Sequence, residues 1–110
     1  MSGAIGPELT VGRNVIAQLV PLAAFEVPGV ARVGHGGPPW RAWLAGLVNP
    51  PVKVRVHDGQ VIVRLRIVAR PGHAIGPLTA HVRTAVAATV ERFLGLDLGA
   101  VTVIVDGVGG

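Results

Sequence analysis

Apolar positions recur along this chain with two different periods, and the switches between them outline its elements. Val15, Ile16, Leu19, Leu22, Ala23 and Val27 follow one another at three- and four-residue steps, the spacing of one helix face. Pro28-Gly29 ends that helix at about Glu26 or Val27. Pro21 in its interior removes a backbone donor and crowds the preceding turn, which predicts a kink or a local widening. Upstream, residues 1–7 read as a flexible N-terminus, and Glu8 to Val11 alternate as a short edge strand would. Val30 to Val33 read as a second short strand, and Gly34 to Pro39 as a loop. Trp40, Trp43, Leu44 and Leu47 then share one face of a short helix that Asn49-Pro50-Pro51 terminates.

The period changes to two at Val52. Val52, Val54 and Val56 alternate with Lys53, Arg55 and His57, and Asp58-Gly59 supplies a two-residue hairpin turn. The return strand alternates Val61, Val63, Leu65, Ile67 and Ala69 with Ile62, Arg64, Arg66, Val68 and Arg70. A two-residue turn fixes the register: His57 opposite Gln60, Val54 opposite Val63, Lys53 opposite Arg64, Val52 opposite Leu65. One face of the hairpin is aliphatic and the other carries charge. A second long helix is predicted from about Gly76 to Leu94, with Leu78, Val82, Val86, Val90 and Phe93 as its stripe. Pro77 falls in its first turn and Gly95 caps its end. A last strand covers Val101 to Val105, and the strand–helix–strand order leaves enough chain for a parallel crossover. The expected fold is α+β: a small two-layer domain over residues 8–108, with a three- or four-stranded mixed sheet and two main helices on one face.

Composition narrows the function classes. The 110 residues include ten Lys+Arg and six Asp+Glu, a net charge of +4, and half are hydrophobic. That apolar content argues against disorder. The longest charge-free run, Asn14 to Phe25, has twelve residues, too few for a spanning helix. The first twelve residues carry neither a basic n-region nor an apolar h-region, so no secretory leader is expected. Cysteine is absent, which removes disulfides, thiolate metal sites and thiol nucleophiles, and fits a reducing intracellular compartment.

Little catalytic chemistry remains. The single serine, Ser2, lies at the terminus, and Thr79, Thr84, Thr89 and Thr102 fall inside predicted elements. The four histidines, His35, His57, His73 and His81, have no metal-binding spacing and read as loop or surface residues. Asp58 serves the turn, and the other acids sit at element ends. Gly34-His35-Gly36-Gly37 lacks the strand–loop–helix setting of a phosphate loop. No catalytic residue, cofactor, metal or small-molecule substrate is expected.

Two surfaces stand out instead. Lys53, Arg55, Arg64, Arg66 and Arg70, less Asp58, account for the whole net charge, so the remainder of the chain is neutral. That face is either a solvated sheet surface protected from edge pairing or a seat for an anionic partner. It holds no aromatic residue for stacking on bases. Trp40, Trp43, Leu44 and Leu47 either close the open end of the core or form an exposed apolar patch for self-association or a partner.

Three ordered segments resemble a known family. Ala23-Ala24-Phe25-Glu26-Val27-Pro28-Gly29-Val30, then Val52 to Gly59, then Leu94-Gly95-Leu96 leading into Val101 to Val108, are similar to the alkaline shock protein 23/Gls24 family of bacterial envelope-stress proteins. The resemblance spans about residues 8–108. It implies a small cytoplasmic bacterial protein without known catalytic activity, of a kind that self-associates or is held at the membrane by a separate membrane-spanning partner. It supplies no catalytic motif. Two departures mark this chain: its hairpin face is basic where the family is acidic or mixed, and Pro21 stands where small residues are common. The function expected is a self-associating scaffold or adaptor near the cytoplasmic membrane. The alternative is an RNA-binding module that uses the basic hairpin face.

Overall fold

The computed structural model describes residues 7–58, 60–95 and 98–109. In chain order its elements are α1 (Pro7–Phe25), β1 (Val30–Val33), α2 (Pro39–Val48), β2 (Val52–His57), β3 (Gln60–Ala69), α3 (Ile75–Leu94) and β4 (Leu98–Val108). The fold is α+β with a four-stranded mixed sheet, as the pattern predicts.

β3 organises the sheet. β2 pairs antiparallel with it from His57↔Gln60 to Val52↔Leu65, every pair as predicted from the turn. β1 pairs antiparallel with its far end, from Val33↔Ile67 to Val30↔Ala69. β4 runs parallel along β3 from Val61↔Leu98 to Ala69↔Val108. β1 and β2 therefore follow one another along one edge of β3, with β4 on the other. Asp58 takes a positive φ of 52°, the left-handed conformation that tight hairpin turns demand.

The aliphatic face of the sheet is the core. Val61, Val63, Leu65 and Ile67 are buried beneath Ile16, Val20, Ala23 and Ala24 of α1 and Leu78, Val82, Val86 and Val90 of α3. Four buried residues at four-residue steps lay α3 along the sheet. Gly95 caps it at φ 64°, and its N–H donates to the Glu91 carbonyl at 2.9 Å.

Several expectations need correction. Residues 1–6 of the predicted N-terminal tail lie outside the described residues. Pro7 and the predicted strand Glu8 to Val11 instead belong to α1, where a proline at the first position gives up an N–H that the helix does not need. Pro21 does lie inside α1, where the apolar stripe places it. The buried face of α1 includes Val20 and Ala24, whereas Leu22, placed in the predicted stripe, is exposed. Phe93 is also exposed, because the core that α3 covers ends at Val90. β4 extends beyond Val101 to Val105 at both ends.

Candidate interaction surfaces

α2 is built differently from the other two helices. It contains no buried residue and packs on no other element beyond glancing contact. Trp40, Trp43, Leu44 and Leu47 are between 47% and 65% exposed, and Val48 is exposed beside them. The reading in which these side chains close the core therefore fails, and the exposed patch is what forms. Arg41, the helix's one charged residue, lies over the Trp40 ring, 5.3 Å from its centroid.

The chain leaves the sheet for α2 and returns to it at a single residue of β3. The Gly34 N–H donates to the Arg66 carbonyl at 2.9 Å, and the Arg66 N–H donates to the Pro51 carbonyl at 2.8 Å. Between those bonds lies a polar clasp that sequence reasoning missed. His35, read as a loop or surface residue, is the one buried polar residue among those described. Its Nε2 faces the Asn49 carbonyl oxygen at 2.6 Å; a carbonyl only accepts, so this nitrogen carries the proton and donates. Nδ1 stands 3.5 Å from Asp106 Oδ2, which accepts from the Gly36 N–H at 3.1 Å and lies 3.6 Å from Arg66 Nη1. Arg32 Nη2 donates to the His35 carbonyl at 2.9 Å. A Cβ at Gly36 would collide with the Asp106 carbonyl oxygen, so only glycine allows this approach. Both ends of the α2 excursion are thus tied to each other and to β3, and the first of them also to β4.

Opposite the core, the basic face is smaller than its sequence suggests. Lys53, Arg55 and Arg64 line a hollow of about 250 Å³ with Ile62 and Thr102. None of the three cations has an ion pair among the described residues. Lys53 and Arg64 lie directly opposite across the strands, an unfavourable like-charge pairing. Arg66 turns to Asp106 instead, and Arg70 follows the end of β3. The His57–Asp58 contact at 3.3 Å is exposed and contributes little.

A third surface had no predicted counterpart. Pro21, Leu22, Phe25 and Glu26 of α1 and its last turn, with Val33 at the end of β1, line an apolar groove of about 520 Å³. Leu22 is 66% exposed there and Phe25 57%. The signal available in the sequence was the apolar character of α1 on more than one side. Among the described residues no three His, Asp or Glu side chains gather as metal ligands, and no helix is long and apolar enough to cross a membrane.

The fold is similar to solved structures of MamM-CTD. A histidine-to-alanine variant of it is 18% identical, covers 84% of this chain and 94% of its own, and superposes with a TM-score of 0.52. A manganese form is 18% identical over 86% of this chain and 96% of its own, with a TM-score of 0.51. A copper form is 17% identical over 86% and 95%, with a TM-score of 0.52. At such identities the likeness concerns the fold alone. No curated protein matches the chain significantly. The family model that matches, over residues 4–109, bears out the resemblance of the three motifs: the chain belongs to the alkaline shock protein 23 family, a family of cell envelope-related function.

Proposed function

We propose that this chain is a non-catalytic adaptor of the cell envelope, acting on the cytoplasmic side of the membrane by self-association and by docking to a membrane-anchored protein. The observation that carries this reading is the uncovered face of α2. Two tryptophans and two leucines held in water on a helix that stabilises no core are costly to the isolated chain, and such patches mark contact surfaces. The membership of a cell-envelope-related family supplies the setting. Sedimentation across a concentration series, with capture of membrane-fraction proteins on the immobilised chain, tests it. Concentration-dependent association together with a captured membrane protein is expected; a strictly monomeric chain that captures nothing would end the proposal.

A second reading, an RNA-binding module, is favoured by the three cations around the hollow of the basic face, which have no ion pair among the described residues. Phosphate contacts there would give a steep fall of affinity with salt. RNA binding that is absent at low salt, or unaffected by Arg55→Glu/Arg64→Glu, removes it.

A further inference from the structure

The exposed face of α2 and the exposed groove on α1 belong to one chain, and each lacks what the other supplies. The α2 face presents Trp40, Trp43, Leu44 and Leu47 at positions i, i+3, i+4 and i+7, the anchor spacing of a helix that lies in an apolar groove. The groove offers Pro21, Leu22, Phe25 and Val33 in about 520 Å³, room for large side chains. The charges also match. Arg41, about 100° round the helix from Trp40 and so flanking the stripe, is the only charge on α2. Glu26 is the only charge lining the groove, and it has no ion pair among the described residues.

Within the chain the two surfaces do not pack on one another, since α2 makes no more than glancing contact with any element. The residues before α2 are tied to Arg66 and Asp106, and those after it to His35 and Arg66. These bonds hold α2 in the place where its apolar face stays uncovered. We infer that α2 is a docking arm whose apolar face fills the α1 groove of a second copy of this chain. The inference rests on the proposed self-association and names its two surfaces. A reciprocal exchange of arms gives a closed two-fold dimer, and a one-way exchange gives a chain of copies.

Single substitutions at exposed positions test the pairing with little effect on the fold. Leu44→Glu on the arm and Leu22→Glu in the groove should each weaken association by at least about tenfold in sedimentation. Circular dichroism should stay unchanged. Mixing the two variants should restore association, because one intact arm then meets one intact groove. Glu26→Arg should weaken association on its own, and Arg41→Glu in the same chain should recover it.

The absence of cysteine makes cross-linking clean. Leu22→Cys mixed with Leu47→Cys should give an oxidised heterodimer. A cross-link within one chain carrying both substitutions would show the arm folded on its own groove, and so overturn the inference. Self-association untouched by Leu44→Glu and Leu22→Glu also overturns it, while leaving the adaptor reading standing. A monomer whose α2 binds anionic phospholipid vesicles, with binding lost in Leu44→Glu, assigns the arm to a lipid surface and overturns it too. A monomer that binds no envelope component sinks both proposals.

Discussion

α2 and α3 carry apolar stripes of the same kind and meet opposite fates. On α3, Leu78, Val82, Val86 and Val90 are buried against the sheet and α1. On α2, Trp40, Trp43, Leu44 and Leu47 remain in water. Connection geometry separates them. α3 is the crossover between parallel strands β3 and β4, a link that has to pass over a sheet face. α2 joins β1 to β2, which lie end to end along one edge of β3, so its chain leaves and returns at Arg66 without crossing the core. Helical periodicity tells that a face is apolar; the path of the chain decides whether that face finds a cover at home.

Substitutions can break or sharpen this contrast. The largest effect is expected in α3: Leu78→Ala should cost about 2–5 kcal/mol in denaturant unfolding, as deletions of buried Leu do. A loss below about 0.5 kcal/mol would mean that α3 does not hold the core. Next comes the clasp. Gly36→Ala forces a methyl group against the Asp106 carbonyl and should cost about 1–3 kcal/mol in the same assay. His35→Ala leaves the Asn49 carbonyl without its donor, and should cost about 1–2 kcal/mol and speed amide exchange at both ends of α2. Unchanged exchange there would show that the arm is held by something else. The smallest effect belongs to α2 itself. Leu47→Ala should change the stability of the dilute chain by less than about 0.5 kcal/mol, against severalfold more for Leu78→Ala.

Local interactions were the legible part of this fold. The hairpin register followed from Asp58-Gly59 because a two-residue turn leaves one pairing that keeps Val52, Val54 and Val56 on the apolar side. Four residues of alternation, Glu8 to Val11, fit strand and helix templates alike, and Pro7 was the better guide to the start of α1. The predicted stripe of α1 took in Leu22 and passed over Ala24, because both are apolar and lie two residues apart; the structure buries Ala24 and exposes Leu22. The candidate surfaces were half visible. Spacing revealed the α2 face and the charged strand positions, but Arg66 lost its place among the free cations to Asp106, forty residues away. The His35 clasp left no local trace, since its partners Asn49 and Asp106 come from distant stretches of chain.

Both tryptophans of the chain, Trp40 and Trp43, lie on α2, so their fluorescence reports the arm alone. A dilution series of tryptophan emission is therefore the most direct test of the central claim. Emission should be that of exposed indoles in dilute solution and move to the blue as concentration rises through the association range. Leu22→Glu should abolish that movement although it lies on α1. An emission maximum that does not move with concentration, or one that still moves in Leu22→Glu, would contradict the docking of α2 into the α1 groove of a second copy.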